Sequence, residues 1–491
     1  MRSNAETSNT RECENPADAR LMARQWRDID WEKAERHVRH LQSRISKAYR
    51  EGRTNLAKRL QYLLTNSFYA KALAVRGVSQ KNKGKKTPGV DGALWRSDSQ
   101  RMLAVLSLNK GRYRSKPTRR IYIPKKNGKQ RPLSIPTMYD RAMQALYALA
   151  LDPIQEATAD PNSYGFRLGR SCQDAKEAIF NQMASSRRPN WVLEGDIAAC
   201  FDSFSHQWML DNIPMDKKVL KQFIKAGFVF KDRLFPSEKG SPQGGVISPI
   251  LANMVLNGME KLVRSRFKSV NLIRFADDFV VIVHSREEGE AVKEALIPFL
   301  AERGLVLSQE KTLITHIDDG FDFLGWNFKK YKVQGKRKLL IKPSRKSLAS
   351  IKDTIRQTVL KNGLGMTQDE LITILNPKIR GWCNYHRSTV SSHTFSYLDA
   401  YTFRTLFRWG ERRHSKKGRK WIAQKYWHPK GRRKWVFCTK CRTLLFASDI
   451  KIVRHGMVRN KMNPYVDAEY YASRQKNRKY ERGYRDKDIA M

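Results

Sequence analysis

Acidic residues are scarce in this chain of 491 residues: Asp and Glu together number 47, against 95 Lys and Arg, which leaves a formal net charge of +48. A chain with this imbalance repels itself, and the repulsion is relieved when its cations contact phosphates and release condensed counterions. The imbalance therefore predicts a nucleic acid as partner. A membrane-surface protein stays open as an alternative, although lipid-binding helices concentrate their basic residues locally.

Cysteine and long apolar runs are scarce as well. The six cysteines are too few for a disulfide framework in a chain of this length, so a reducing compartment is expected. No run of about 18 apolar residues occurs, and the polar N-terminus lacks the apolar stretch of a secretory signal. We therefore expect neither a membrane partner nor secretion. A cytoplasmic, nucleoid-associated protein of bacterial type is predicted, with an organellar location left open.

Core-forming residues, in contrast, are plentiful. Hydrophobic residues make up 40% of the chain, with 21 Phe, 18 Tyr and 11 Trp, which excludes wholesale disorder. Because 491 residues exceed the size at which one hydrophobic core stops growing, several domains in series are expected.

The N-terminal part predicts basic helices followed by a loop. Residues 1–25 are poor in hydrophobic residues and predict a disordered leader. From Trp26 to Ala70 apolar residues recur every three or four positions with Lys and Arg between them, which predicts helices with a basic outer face. The Lys- and Gly-rich stretch 80–92 predicts a flexible cationic loop.

The middle of the chain predicts a small antiparallel sheet within an α+β fold. In 119–135, Asn-Gly separates two apolar-rich runs, which predicts a β-hairpin with a basic tip. Apolar strands are predicted at 191–197 and across 272–283, where two acids separate two short runs. After one more predicted strand at 336–344, periodic apolar residues predict a helical domain to about Trp435. The basic, aromatic remainder is expected to end in a frayed tail.

Three acids stand in these apolar contexts. Asp196 lies near the end of the first run, and Asp277 and Asp278 lie between the two later ones. A buried carboxylate without a counter-charge is costly, and carboxylates are the ligands of the hard divalent cations that drive phosphoryl transfer. The pattern therefore predicts a metal site, while a turn or cap residue remains the alternative for each acid taken alone.

The residues around these acids favour the metal site. Residues 275–278, FADD, resemble the catalytic hairpin of reverse transcriptases, a box usually written with Tyr first, and 196–201, DIAACF, resemble the first catalytic motif of that family. Five further blocks of the family occur in the family's order, at 123–133, 163–171, 240–249, 304–312 and 323–326. The resemblance implies a right-hand polymerase, with fingers and a palm, that copies RNA into DNA.

The resemblance also implies roles for single residues. Asp196 and Asp277 would be metal ligands with the main-chain carbonyl of Ile197, and Asp278 would be the neighbouring catalytic carboxylate, for two Mg²⁺ ions or Mn²⁺ in their place. Substrate contacts are implied for Lys125 and Arg131 (triphosphate), Phe201 (exclusion of a ribose 2′-hydroxyl), Gln243 (template backbone) and Lys311 (phosphate or primer). For Lys311 a solvated surface lysine stays open as the alternative.

A later motif narrows the family. Residues 376–386 contain NP, IRGW and NYH in the pattern of the maturase-specific motif of group II intron proteins, whose basic helices grip intron RNA and assist its splicing. The resemblance implies RNA contacts by Lys378, Arg380, His386 and Arg387, and by Lys83, Lys85 and Lys86 of the N-terminal loop. A core cluster is the alternative for the aromatic residues of this motif.

The C-terminal part resembles the beginning of the family's DNA-binding region. In 421–435 basic residues alternate with aromatic residues that can stack on bases, and DNA contacts are implied for Lys425, Arg432, Arg433 and Lys434. The longest family members end in an HNH nuclease with two Cys pairs, whereas here Cys438 and Cys441 form only one pair. Two reduced thiols are therefore expected rather than a zinc site, and the primer would come from elsewhere, such as a replication fork.

Taken together, the sequence predicts a group II intron reverse transcriptase and maturase whose partners are intron RNA, target DNA and deoxynucleoside triphosphates. The expected parts are a leader (1–25), a basic N-terminal extension (26–92), fingers and palm (93–335), a helical thumb and maturase domain (336–420) and a basic DNA-binding region (421–491). Two alternatives remain: a splicing cofactor with an idle polymerase fold, and a domesticated defence reverse transcriptase, which should lack the 376–386 motif.

Overall fold

The computed structural model describes residues 15–124, 128, 130–185 and 189–487. Its helices are α1 Pro16–Arg27, α2 Trp31–Arg50, α3 Thr54–Asn66, α4 Phe68–Arg76, α5 Asp98–Ser107, α6 Met138–Thr158, α7 Cys172–Met183, α8 Cys200–Ser203, α9 His206–Asn212, α10 Lys217–Ile224, α11 Ser248–Leu256, α12 Met259–Arg266, α13 Arg286–Glu302, α14 Arg345–Arg356, α15 Gln368–His386, α16 Ser392–Arg413, α17 Arg419–Tyr426 and α18 Ala468–Lys487. Its strands are β1 Thr118–Pro124, β2 Gln130–Ile135, β3 Trp191–Gly195, β4 Phe228–Phe230, β5 Arg233–Phe235, β6 Asn271–Phe275, β7 Asp278–Val283, β8 Leu313–His316, β9 Phe321–Phe323, β10 Trp326–Val333, β11 Lys336–Pro343, β12 Trp427–Lys430 and β13 Arg433–Phe437.

The palm is an antiparallel sheet in the order β6-β7-β3-β8. Side chains of β7 alternate between two cores: Val281 and Val283 pack among helices of the N-terminal region and palm, while Val280 and Ile282 pack toward α7 and β9–β11. Because both faces are covered, β7 is a continuous apolar run instead of an alternating one. The predicted FADD hairpin is β6–β7, at one edge of this sheet.

The fingers carry a second sheet in the order β2-β1-β4-β5. The predicted hairpin is confirmed: β1 and β2 pair antiparallel from Arg119 opposite Ile135 to Pro124 opposite Gln130. The lysines at its tip, Lys125 included, lie outside the described residues. Strand β4 extends the sheet by pairing parallel to β1, which the sequence did not indicate.

The N-terminal region is more ordered than predicted. Residues 16–25 were expected in a disordered leader, but they belong to α1, which begins with Pro16 after an Asn15 side chain that accepts a hydrogen bond from the Ala17 amide. Trp26, near the end of α1, is only 3% exposed and packs against Trp31. Burial of this ring against the rest of the N-terminal core stabilises a helix whose other residues are mostly exposed.

The cationic loop at 80–92 is also held in place. It contains a π-helical turn that ends at Lys81 and a 3₁₀ turn over Lys83–Lys86. The buried guanidinium of Arg141 donates to the carbonyls of Gly84 (3.0 Å) and Thr87 (2.7 Å). The loop is therefore held against α6, and the side chains of Lys83, Lys85 and Lys86 are exposed.

The thumb contains the helices α14 to α17 around a core of its own. The sequence predicted helix to about Trp435, but helix ends at Tyr426 and the hairpin β12–β13 follows, with Gly431 at its tip in the left-handed region (φ 56°). Phe437 of β13 packs into the thumb core. The hairpin is thus continuous with the thumb.

Beyond this hairpin the chain returns to the palm. In the basic, aromatic remainder, Val458 (1% exposed) and Tyr471 (8% exposed) are buried in the core on the α7 side of the palm sheet. The last residues of the tail that was expected to be frayed, 488–491, lie outside the described residues. Within the described ranges, no helix is both long and apolar enough to span a membrane.

Candidate active site

The strand pairing brings the three predicted acids to one end of the palm sheet. Gly195 of β3 lies opposite Phe279 of β7, so Asp196, the next residue, comes beside Asp278. Asp278 in turn pairs with Phe275 across the β6–β7 turn, whose apex includes Asp277. Sequence segments that are about 80 residues apart therefore present their carboxylates to the same space, as the motifs predicted.

The three carboxylates are close enough to affect one another's pKa. Burial raises the pKa of Asp278 to about 7, and the carboxylates of Asp277 and Asp196 add to the rise, together with a side-chain hydrogen bond to Asp196. Burial and the Asp196 carboxylate also raise the pKa of Asp277, while Arg131 and Lys311 act in the opposite direction. Such a site favours any cation that can enter it.

In this structure Lys311 supplies that cation. Its ammonium lies 2.5 Å from Oδ2 of Asp196, and the hydrogen bond to Asp196 raises the lysine pKa. The side chain of Lys311 is 66% exposed, so it can move away without disrupting a core. The phosphate or primer contact predicted for Lys311 stays a prediction.

The donors suit hard divalent cations, because carboxylate and main-chain oxygens are the ligands that Mg²⁺ prefers. The bridge between Ile197 and Leu307 uses the carbonyl of Asp196 and the amide of Ala198, so it leaves the Ile197 carbonyl out of its hydrogen bonds. In the described part of the chain, no three Asp, Glu, His or Cys side chains already converge as a metal cage. Side-chain rotation of the acids would have to complete such a cage.

Two predicted substrate residues meet at the junction of fingers and palm. The Arg131 Nε donates to the side-chain carbonyl of Gln243 (3.0 Å), and the Gln243 amide nitrogen donates to Asp202 (2.9 Å). The main-chain carbonyl of Gln243 also accepts from the Ser134 amide of β2 (2.7 Å). The sequence did not indicate this connection, which sets Arg131 within electrostatic reach of Asp277. Lys125, predicted beside Arg131, is outside the described residues.

Phe201 lies a few residues beyond Gly195, the last residue of β3. It lies in the short helix α8, which Ala199 introduces in the left-handed region (φ 45°), and its ring is half-buried, 6.3 Å from the ring of Phe166. Phe166 is itself 49% exposed. The two rings thus pack edge to face, and the contact of Phe201 with a sugar stays a prediction.

Residues that sequence reasoning missed support the catalytic turn. Arg274 is fully buried within β6 and donates to the Ala276 carbonyl (3.1 Å) and to Asn253 (3.1 Å). Gly165 touches the same turn so closely that a Cβ there would lie 2.3 Å from the Ala276 nitrogen. A charged residue inside an apolar strand was the one available signal for Arg274.

Among the predicted RNA contacts, the exposed ones are Lys83, Lys85, Lys86 and Arg380. Lys378 is half-buried and donates to Thr358 (2.7 Å), and Arg387 is half-buried beside Asn384. Neither pairing tests the predicted RNA contact, which stays a prediction for both.

The prediction for His386 is wrong. Its side chain is 1% exposed, with ring centroids 4.6 Å from Trp382 and 5.8 Å from Trp326, and Nε2 contacts the Ser347 hydroxyl at 2.9 Å. Burial lowers the His386 pKa to about 4. A position at the end of α15 suggested a surface residue, but β10 covers this side of the helix.

Among the predicted DNA contacts, Lys425, Arg432 and Lys434 are exposed. Arg433 instead pairs with both carboxylate oxygens of Asp449 (2.5 and 2.7 Å) and stacks on Phe446, so its guanidinium is engaged within the chain. This pairing does not test the predicted DNA contact, because the Arg433 side chain is still 41% exposed, and the contact stays a prediction.

An aromatic groove, not foreseen from the sequence, lies between α16, α17 and the β12–β13 hairpin. It has a volume of 540 Å³ and is lined by Phe403, Phe407, Arg419, Lys420, Ala423 and Trp435. Trp435 is 54% exposed and Phe403 37% exposed, with ring centroids 6.5 Å apart. Exposed aromatic rings beside basic side chains are suited to stacking on nucleic acid bases.

Three known families match parts of the chain. Residues 123–328 match the family described as reverse transcriptase (RNA-dependent DNA polymerase). Residues 26–108 match the N-terminal domain of reverse transcriptase, and residues 348–427 match the group II intron, maturase-specific domain. The motifs at the catalytic turn, in the N-terminal helices and in α15 thus each fall within a matched range.

Individual proteins are also similar. The chain is 29% identical over 452 residues to the group II intron-encoded protein LtrA of Lactococcus lactis subsp. cremoris, covering 72% of this chain and 74% of that one. It is 33% identical over 294 residues to the protein YkfC of Escherichia coli (strain K12), covering 50% of this chain and 77% of that one. Among solved structures, a telomerase from Candida albicans with telomeric RNA superposes with a TM-score of 0.37 and 13% identity, covering 65% of this chain and 63% of that chain.

The burial of His386 predicts a pH-dependent stability difference between the native chain and a His386→Gln variant. Because the folded-state pKa of about 4 lies below the ordinary value of 6.5, protonation favours the unfolded chain, and stability is lost as pH falls from 6.5 toward 4. The free energy of unfolding of the native chain, relative to the variant, should fall by about 3 kcal/mol over this window. Denaturant unfolding at fixed ionic strength measures it; a constant difference would mean a solvent-exposed imidazole.

Proposed function

This chain belongs to the family of group II intron-encoded reverse transcriptases and maturases, and we propose that it copies RNA into DNA at the site formed by Asp196, Asp277 and Asp278. The observation that carries the proposal is the meeting of these three carboxylates at one end of the palm sheet, where their mutual repulsion favours bound cations. A fold that served only as a scaffold would have no need for that repulsion.

The acids and the residues around them would have separate roles in the reaction. Bound as a pair, Mg²⁺ or Mn²⁺ ions would activate the primer hydroxyl and stabilise the leaving pyrophosphate. Asp196 and Asp277 would hold the ions with the Ile197 carbonyl, and Lys311 would turn away from Asp196 toward the substrate. Arg131, near Asp277, would bind the triphosphate, since a guanidinium suits bidentate phosphate contact.

Phe201 and Gln243 would set substrate geometry. The Phe201 ring, half-buried beside Phe166, would leave little room for a ribose 2′-hydroxyl and would offer it no hydrogen bond, so deoxynucleotides would be favoured. Gln243 lies in a Gly-rich turn where the template backbone can approach closely. Because Gln243 also holds Arg131, template and nucleotide contacts would be coupled.

Intron RNA is the proposed partner of the N-terminal loop and the thumb. Lys83, Lys85 and Lys86 extend outward from the docked loop, and Arg380 extends outward from α15. Phosphate contacts from such exposed cations are independent of sequence and sensitive to salt. Assistance of splicing would follow from this grip on the folded intron.

Target DNA is the proposed partner of the C-terminal hairpin and the aromatic groove beside it. Lys425, Arg432 and Lys434 are exposed there, and Trp435 presents an open ring face. Binding of chromosomal target DNA would associate the protein with a bacterial nucleoid.

Replacement of Asp277 by alanine tests the catalytic assignment. We expect primer extension on an RNA template with Mg²⁺ to fall on the order of a thousand-fold, because several kcal/mol of charge stabilisation are lost with a displaced ion. Binding of intron RNA should stay near normal. Asp28→Ala, an exposed change directly after α1, is the control, and an Asp277→Ala protein that still extends primers would remove the assignment.

Neutralisation of the N-terminal loop tests RNA binding. Replacing Lys83, Lys85 and Lys86 with glutamine should weaken intron RNA binding and reduce the slope of log affinity against log salt by about two, since single-stranded contacts contribute about 0.7 each. Filter binding at several salt concentrations measures both quantities.

A control variant removes the same charge elsewhere. Lys261, Arg266 and Lys268 are exposed on and after α12, and their replacement with glutamine should change the slope little. Equal slopes for the two triple variants would contradict a specific role for the loop.

The aromatic groove predicts a loss of single-stranded DNA affinity in Trp435→Ala. Removing one stacking ring should cost about 1–3 kcal/mol of binding free energy, while primer extension on a preformed RNA–DNA duplex stays unchanged. Fluorescence anisotropy with a labelled DNA oligonucleotide measures the loss. Phe180→Ala, at an exposed ring on α7, is the matched control, and equal affinity of both variants for DNA would exclude the groove.

A further inference from the structure

We propose that the C-terminal segment from Val453 to Arg474 is a positioning element of the polymerase site, with Asn460 as its central positioning residue. The proposal rests on the proposed function and concerns how the chain keeps the catalytic turn in place. Motif resemblance placed these residues in a DNA-binding region, and nothing in their sequence indicated contact with the palm.

The catalytic turn is supported from the open edge of β6. The segment around Ser163 runs along the open edge of β6: the Arg274 amide donates to the Asn162 carbonyl (3.0 Å), and the Tyr164 amide donates to the Arg274 carbonyl (2.9 Å). Gly165 then packs on Ala276, where even a methyl group would not fit. The segment thus fixes both β6 and the turn that carries Asp277.

Asn460 binds this same segment through both its side chain and its main chain. Its side-chain amide donates to Oδ1 of Asn162 (2.7 Å), and its side-chain carbonyl accepts from the hydroxyl of Tyr164 (3.1 Å). Its main-chain carbonyl accepts from the guanidinium of Arg170 (3.0 Å). Tyr164 is fully buried and Asn460 is half-buried, so these contacts are partly shielded from solvent.

The C-terminal segment is also anchored on each side of Asn460. The buried carboxylate of Asp174 accepts from the Val458 amide (2.8 Å) and the Arg474 guanidinium (2.6 Å) and contacts His455 Nε2 (2.9 Å). Hydrogen bonding and the nearby cations lower the Asp174 pKa to about 2 despite burial, which raises it. The carboxylate therefore stays charged and holds both ends of the segment.

The second anchor is a close packing contact. The ring of Tyr471 lies against Gly169, where an added Cβ would be 2.4 Å from a ring carbon. Gly169 also has φ +73°, a conformation that other residues adopt with strain. Two requirements therefore favour glycine at a position next to Arg170, which Asn460 binds.

The segment also joins distant parts of the chain. At one end the Val453 amide donates to the Arg387 carbonyl of the thumb (2.9 Å). Farther along, the Asn463 side chain donates to Ser46 of α2 (3.1 Å), and the Tyr465 hydroxyl bonds to Asp152 of α6. One strap thus ties the thumb, palm and N-terminal helices together, and Asn460 lies near its middle.

Small displacements at this place have large effects on chemistry. Metal ligands must be held within about 0.5 Å of the productive geometry, and misplacement by about 1 Å can cost a hundred-fold in rate. Main-chain pairing and Gly165 link the partners of Asn460 directly to the Asp277 turn. Loss of Asn460 would therefore loosen the position of the catalytic carboxylates, although all three carboxylates remain present.

The test is Asn460→Ala against Asn477→Ala, the same chemical change at an exposed position of α18. In the full-length protein, kcat per active site, counted by a single-turnover burst, should fall about ten-fold or more in Asn460→Ala. The Mg²⁺ concentration for half-maximal rate should rise several-fold, and Mn²⁺ affinity without substrate, measured by electron paramagnetic resonance, should fall. Intron RNA affinity and the KM for deoxynucleotides should change less than about two-fold.

Other outcomes overturn the proposal. If Asn460→Ala lowers only the fraction of active molecules, with kcat per site and Mn²⁺ affinity unchanged, the strap is purely structural. If the native protein itself fails to extend primers, the proposed function fails, and the Mn²⁺ affinities still decide whether Asn460 positions the acids.

A milder variant keeps the proposal testable if Asn460→Ala folds poorly. Tyr164→Phe removes one hydroxyl from the contact and keeps the buried ring, so a smaller loss of kcat and Mn²⁺ affinity in the same direction is expected. In a double-mutant cycle, Tyr164→Phe and Asn460→Ala should be less than additive, because they remove a shared hydrogen bond. Full additivity, or native behaviour of Tyr164→Phe in both measurements, would contradict the assignment.

Discussion

Repulsion among three carboxylates is the constraint on which the site depends. Asp196, Asp277 and Asp278 come together because β3 and the β6–β7 turn reach the same end of the palm sheet. Burial and the proximity of the other two carboxylates raise the pKa of Asp278 to about 7. Folding tolerates this crowding when cations or protons reduce the charge, and in this structure Lys311 and Arg131 do part of that work. The same repulsion makes the site receptive to divalent metal ions.

The surrounding scaffold opposes that repulsion mechanically. Strand β7 is buried on both faces, Arg274 bonds the turn from within the sheet, and the 162–166 segment closes the edge beneath it. Asn460 then fixes this segment from the C-terminal strap. The acids are therefore held by elements that come from across the chain, which explains how the thumb and the polymerase site can form one mechanical unit.

Local signals made much of this fold predictable. The β1–β2 hairpin followed from Asn-Gly between apolar runs, and the β6–β7 hairpin followed from paired acids in an apolar context. Non-local contacts were not predictable: the burial of His386 depends on Trp326, and the docking of the strap depends on Asp174, almost 300 positions earlier. Such contacts leave no periodicity in the sequence, so the motif for a surface helix or a frayed tail looks the same with or without them.

The number of metal ions bound at the three acids is the decisive measurement. We expect the protein, with an RNA template, a DNA primer and a non-hydrolysable deoxynucleotide, to bind two Mn²⁺ ions whose electron paramagnetic resonance spectrum shows coupling at about 4 Å. Asp196→Ala should abolish the coupled signal while the RNA and primer remain bound. A native complex without a coupled pair, or a signal that Asp196→Ala leaves unchanged, would contradict the account.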